Sequence, residues 1–149
     1  MLTDEIKMYI DKSVLCWLAT SSENNIPNVS PKEIFTYYGE SEIIVANIAS
    51  PQTIRNIKQN PNVCISFIDV FIQKGYQLKG KARMLTKENA DFESMKASLS
   101  ILTKGKYPFS SITNIYIEKV KPILAPKYII YPETTEQQQI EEAIKQYKP

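Results

Sequence analysis

Ile44-Val45-Ala46-Asn47-Ile48-Ala49-Ser50-Pro51-Gln52-Thr53-Ile54-Arg55-Asn56-Ile57, continued by Lys58-Gln59-Asn60-Pro61-Asn62-Val63, decides the fold. The first residues are an apolar run of strand length, the end of a strand expected over Glu42 to Ile48. Ser50-Pro51 is a helix start, with Ser50 as N-cap and proline at the first helical position, where its missing N–H costs nothing. Ile54 and Ile57 fall on one face of that helix, Arg55, Lys58 and Gln59 on the other. Asn60-Pro61 stops it, because the residue before proline is pushed out of the helical region. A strand follows from Val63 to Asp69. A strand thus runs directly into a helix N-terminus, which offers free N–H groups and partial positive charge. Ser50 and Thr53 add hydroxyls, Gln52 and Asn56 amide donors, and Arg55 and Lys58 nearby charge. That is the chemistry of a phosphate cradle, although every capped helix has such an end.

Outward from this unit the chain alternates short strands and turns. Thr3 to Lys12 reads as a helix capped by Thr3, with Ile6, Tyr9 and Ile10 on one face. Val14 to Thr20 is apolar on both faces and reads as a central strand, with Trp17 and Cys16 in the core. Asn28 to Tyr38 reads as a second strand that Pro31 turns into an edge, a bulge or a break. Lys32 follows that proline and could face the same anion as the Ser50 helix start. Gly75 to Thr86 and Ile112 to Val120 alternate as further strands. Lys87 to Lys104 has helical period through Phe92, Met95, Leu99 and Leu102. Pro122, Pro126 and Pro132 mark an irregular stretch, and Thr134-Thr135-Glu136 opens a last helix. About six strands with inserted helices, and no regular strand–helix alternation, imply a mainly β protein built as an antiparallel Greek-key-type barrel. Residues 1–149 read as one domain, with 130–149 as a C-terminal helical extension.

Composition excludes several function classes. The 149 residues carry 18 basic and 16 acidic side chains, a net charge of +2, so bulk charge points to neither nucleic acid nor a membrane surface. The acidic N-terminus lacks the layout of a signal peptide, and a cytoplasmic location is expected. There is no histidine. Histidine-assisted nucleophiles, histidine bases and histidine metal or haem ligands are therefore absent together, and chemistry must come from other side chains or a cofactor. Cys16 and Cys64 lie in apolar runs and read as small buried hydrophobes; two thiols without a CxxC make no metal site. Lys79, Lys81 and Arg83 alternate on one strand face, which reads as solvated. Tyr107, Tyr116, Tyr128 and Tyr131 read as core or interface residues, with capping of a ring ligand as the alternative.

Three segments carry a family resemblance: Val14-Leu15-Cys16-Trp17-Leu18-Ala19-Thr20, Pro27-Asn28-Val29-Ser30-Pro31-Lys32, and Ile44 to Val63 as quoted. Over roughly residues 3–120 the chain resembles the FMN-binding split β-barrels of the pyridoxamine 5′-phosphate oxidase-like kind. The resemblance implies that an FMN phosphate is held by Ser30, Pro31 and Lys32 with Ser50, Gln52, Thr53 and Asn56. It implies that the flavin ring lies along the backbone of Asn47, Ile48 and Ala49. It also implies a homodimer with flavin at the interface, the partner contributing from around Val70 to Tyr76. Two family features are missing: the Arg-x-His element that binds pyridoxamine 5′-phosphate, and the basic residues after the helix-opening serine, here Pro51-Gln52-Thr53. The expected function is accordingly a flavin-dependent oxidoreductase using a reduced nicotinamide and a small acceptor, not a true pyridoxamine 5′-phosphate oxidase. A non-catalytic FMN-binding or stress-related protein, and a cofactor-free interaction module, are the alternatives.

Overall fold

The computed structural model describes Met1–Pro149. Seven strands form one antiparallel sheet in the order β2-β1-β5-β6-β7-β4-β3, with β1 Cys16–Ser21, β2 Pro27–Lys32, β3 Phe35–Tyr38, β4 Glu42–Ala46, β5 Asn62–Asp69, β6 Lys74–Thr86 and β7 Ser111–Leu124. The helices are α1 Asp4–Lys12, α2 Pro51–Gln59, α3 Phe92–Thr103, α4 Pro126–Ile130 and α5 Glu136–Tyr147.

The stretch expected as one strand over Asn28 to Tyr38 is two strands. β2 pairs with β1 and β3 pairs with β4, so the two lie on opposite edges of the sheet. The break falls at residues 33–34, just after Pro31. Pro31 stays in β2, opposite Trp17, on an edge where its missing N–H is tolerated. This is the split of the barrel: consecutive residues cross from one edge of the sheet to the other.

Two apolar clusters flank the sheet. The larger fills the barrel with inward residues such as Leu18, Ile43, Val45, Ile65, Phe67, Leu78 and Ile115, and is closed by Ile6, Tyr9 and Ile10 of α1. The smaller joins Ile44, Ala46, Leu85 and Ile112 to Phe92, Met95 and Leu99 of α3. β4 contributes to both, which is why Ile43 to Ala46 are all buried and read as a continuous apolar run. On α1, Thr3 Oγ1 accepts the Ile6 N–H at 3.3 Å, the cap expected from sequence.

Four further expectations are corrected. Trp17 is 49% exposed, because β1 turns Cys16, Leu18 and Thr20 inward and Trp17 outward. Cys64 likewise lies on the outer face of β5 and is half-buried. β7 continues through Pro122 to Leu124; its neighbour β4 ends opposite Tyr116, so the later half is an edge where proline fits. Tyr107, Tyr116 and Tyr131 are exposed, which removes the core half of their core-or-interface expectation.

At the bulge between Lys79 and Gly80, β6 and β7 approach so closely that a Cβ on Gly80 would lie 1.9 Å from the Tyr116 carbonyl oxygen. Only glycine fits that crossing.

Candidate functional site

β2 alternates its side chains, so Ser30 and Lys32 face inward while Val29 and Pro31 face out. The inward pair faces the start of α2. The Lys32 Nζ donates to Ser50 Oγ at 2.5 Å, and Ser50 Oγ donates to the Ile48 carbonyl at 3.0 Å. Ser50 therefore does not cap α2 with its side chain, in contrast to the sequence expectation; its hydroxyl is held by Lys32 and Ile48 instead. Ser30 Oγ and Thr53 Oγ1 are 3.4 Å apart, longer than a formed hydroxyl–hydroxyl bond, so both keep capacity for another oxygen.

Lys32 is only 8% exposed. Its one hydrogen-bond partner is neutral, and the four ion pairs of the chain lie elsewhere, so no carboxylate oxygen is within 4.0 Å of it. Burial pushes the Lys32 ammonium below the ordinary lysine range, opposed weakly by the neighbouring Cys16. A buried cation without an anion is costly in a folded protein. Beside it, α2 opens with unused donors. Its first bond runs from the Ile54 N–H to the Ser50 carbonyl at 3.1 Å, and the N–H groups of Gln52 and Thr53 have no partner in the chain.

The turn into α2 is sharp. Ala49 adopts φ 49°, a left-handed conformation uncommon outside glycine. It is exposed, next to the half-buried Ile48. Asn47 is anchored by its side chain: Nδ2 donates to Ser111 Oγ at 3.1 Å and Oδ1 accepts from Thr113 Oγ1 at 2.7 Å. Asn47 thus leaves only backbone to face a ligand.

Gln52 and Asn56 are engaged with each other. Asn56 donates from Nδ2 to Thr20 Oγ1 at 3.0 Å and accepts on Oδ1 from Gln52 Nε2 at 2.8 Å, while Arg55 donates to Gln52 Oε1 at 2.8 Å. These side chains line a polar groove of about 270 Å³ on another flank of α2, with Ser22 and Lys58. The buried side of α2 is Thr53, Asn56 and Ile57 rather than Ile54 and Ile57. The structure thus brings together Ser30, Lys32, Ile48, Ser50 and Thr53; Asn56 ties α2 to Thr20 of β1, and the exposed Gln52 side chain is engaged with Asn56 and Arg55 of its own helix.

Next to Lys32 a cleft of about 300 Å³ opens, lined by Leu15, Pro31, Ile34, Ala46, Ile48 and Tyr107 with Lys32 and Glu33. Nothing in the sequence marks Leu15 or Ile34 as a site residue; they border the split at residues 33–34, which no turn residue announces. The site as a whole joins an apolar cleft to a buried cation and a row of neutral donors, the set that an amphipathic ligand with an anionic end requires.

A family model described as pyridoxamine 5′-phosphate oxidase matches residues 2–124. Among solved structures, the chain is similar to HupZ of Group A Streptococcus, at 26% identity and TM-score 0.70, over 80% of this chain and 92% of that one. It is similar to an FMN-binding protein from Syntrophomonas wolfei subsp. wolfei, at 19% identity and TM-score 0.69, over 81% and 85%. It is also similar to HutZ, the heme storage protein of Vibrio cholerae, at 20% identity and TM-score 0.64, over 82% and 94%. None of the curated proteins is a significant match. No helix is long and apolar enough to cross a membrane. With the sheet order, the strand-to-helix turn at Ser50 and a match that spans the whole barrel, the chain belongs to the pyridoxamine 5′-phosphate oxidase family.

Proposed function

We propose that this protein binds flavin mononucleotide in the cleft between β2, β4 and α2 and acts as a flavin-dependent oxidoreductase on a small organic substrate. The observation that carries the flavin reading is the Lys32 ammonium, buried against a neutral hydroxyl with no carboxylate in reach. A phosphate supplies the missing charge. Lys32 and the hydroxyls of Ser30, Ser50 and Thr53 would hold it, with the free N–H groups of Gln52 and Thr53 completing the cradle. The Asn47–Ala49 backbone and the apolar cleft would face the ring. When bound, FMN supplies hydride and electron transfer, so no protein acid or base is obligatory. The chain's own residues fix the phosphate, exclude water along Ile34, Ala46 and Ile48, and hold the Ser50 turn in place through Asn47.

Support also comes from the family; the likeness to the FMN-binding protein is one of fold. The likeness to a heme storage protein is one of fold alone, and the absence of histidine removes the commonest haem ligand.

A second copy of the chain completes the proposal. Val14, Trp17, Ile68, Val70 and Phe71 are exposed apolar residues around a groove of about 410 Å³ on the outer face. These apolar side chains would be covered by a second copy, and Val70 and Phe71 begin the segment from which a partner would reach a shared flavin.

The test is the visible spectrum of the purified protein during FMN titration, with NADH and NADPH turnover and solution mass measured on the same sample. Saturable flavin binding by a dimer that oxidises a reduced nicotinamide is the expected result. Bound FMN without turnover would leave a flavin carrier in place of an enzyme, and no binding below about millimolar would remove the flavin altogether.

A further inference from the structure

We propose that Tyr107 is the stacking residue of the cleft, closing one face of a planar aromatic ring whose anionic end sits on Lys32. The inference rests on the flavin reading above and assigns the ring a protein contact outside the strand-to-helix turn. Tyr107 is 52% exposed, belongs to neither apolar cluster, and its hydroxyl bonds to no group of the chain. Tyr116 and Tyr131 are as exposed, but of the three only Tyr107 lines the cleft beside Lys32, where its ring is free to meet a ligand.

The loop that carries it is fixed at both ends. Thr103 is buried and accepts the Lys106 N–H on its carbonyl at 3.0 Å, and Phe109 packs on the α3 cluster. Between them, Lys104 and Gly105 both adopt left-handed backbone, φ 51° and 72°, which turns the chain sharply at the end of α3. Tyr107 and Pro108 are thereby held out at the cleft by the backbone, without help from the tyrosine side chain.

The cleft suits a ring. Leu15, Ile34, Ala46 and Ile48 give it apolar walls, and its volume is about 300 Å³. That is the lower end of small-molecule sites, which run to about 1,000 Å³, so it fits the ring of a nucleotide-sized ligand and not the whole of it. An aromatic side chain at the open side supplies the missing face, and base–aromatic contacts of this kind are worth roughly 5- to 150-fold in affinity.

The experiment titrates FMN, riboflavin and inorganic phosphate into the wild-type protein and the variants Tyr107→Leu, Tyr107→Phe and Lys32→Met. Flavin emission is followed for the first two ligands and thermal stability for phosphate. Tyr107→Leu is expected to weaken FMN and riboflavin by a similar factor, about tenfold, and to leave bound flavin brighter than in the wild type. Its phosphate-induced stabilisation is unchanged. Tyr107→Phe keeps the affinity, because the ring remains, but quenches less. Lys32→Met shows the reverse pattern, losing phosphate and FMN while keeping the weaker riboflavin contact. Wild-type affinity and quenching in Tyr107→Leu would overturn the assignment with flavin binding intact, as would loss of its phosphate response, which would mark a structural role. Failure of the wild-type protein to bind FMN would instead remove the flavin reading and this assignment with it.

Discussion

Replacing Lys32 by methionine has opposite effects on the empty protein and on its complex. In the empty fold Lys32 as a residue is 8% exposed, and its ammonium contributes one hydrogen bond, to Ser50. Ser50 keeps its bond to the Ile48 carbonyl when the lysine is gone. Methionine fills nearly the same volume without a charge to desolvate. Removing an unpaired buried charge against one net hydrogen bond of about 1 kcal/mol leaves a gain of roughly 1–3 kcal/mol. For a chain of this size that raises Tm by roughly 3–10 °C. The pH dependence has a defined sign. The folded-state pKa of Lys32 lies below its unfolded value, so between the two the unfolded chain holds more protons and stability rises with pH. Wild-type stability should climb as pH approaches the ordinary lysine value of 10.5, and Lys32→Met should lack that climb. Ligand acts in the opposite direction. Without the charge-assisted hydrogen bond from Lys32 to the phosphate, FMN binds about 10- to 150-fold more weakly. At a concentration 100 times the wild-type Kd, FMN stabilises the wild type by about 2.7 kcal/mol, and a variant bound 100-fold more weakly by only about 0.4 kcal/mol. Thermal melts with and without FMN at two pH values read all of this. An empty variant less stable than the wild type, with an undiminished FMN shift, would refute the reasoning.

Four other outcomes are expected. In the native state at pH 8, half-buried Cys64, its thiol also pushed up by burial, should react slowly with a thiol reagent, and Cys16, fully buried with its thiol pushed up to about 12, should not react; a fast thiol at either position would contradict this. Gly80→Ala should destabilise the fold by about 1–3 kcal/mol in urea, because the added Cβ meets a backbone oxygen that cannot move alone. Leu99→Ala, which hollows the α3 cluster, should cost about 2–5 kcal/mol by the same measurement. Tyr76, pushed up to about 12 by burial and then by its hydrogen bond to Glu5, lends stability that is present below pH 10 and lost as pH rises toward 12. Tyr76→Phe should flatten that alkaline decline, followed by denaturation at stepped pH.

Local chemistry explains which parts of the structure were legible in the sequence. The Ser50-Pro51 start, the Asn60-Pro61 stop and the alternation Val63, Ile65, Phe67 are signals carried by adjacent residues, and each appears as α2 or β5. The split at residues 33–34 is not such a signal. Glu33-Ile34 has no turn chemistry, and the chain breaks there because β2 and β3 are claimed by neighbours on opposite edges. Trp17 looks like core because an outer face that is itself apolar erases the inside–outside alternation. At the site, Lys32 could be put forward as the cation facing the Ser50 helix start, but β2 and β4 are not paired in the sheet, and its lack of a carboxylate is a property of everything around it. Gln52 and Asn56 look like free donors in sequence; only the position of Thr20 shows where the Asn56 amide points, and Gln52 follows by bonding to Asn56.

β4 is packed on both faces, by the barrel interior on one side and α3 on the other. It is also the strand that delivers the chain to Asn47 and the Ser50 turn. A substitution there disturbs two cores at once, so the floor of the cleft has little room to drift. The rim does have room. Glu33 and Tyr107 are exposed and owe nothing to either core. Divergence of ligand preference on this scaffold should therefore be written in the rim residues, with the floor inherited almost unchanged. The swap experiment follows directly: exchanging residues 104–108 between relatives should move ligand preference while leaving the melting temperature nearly where it was.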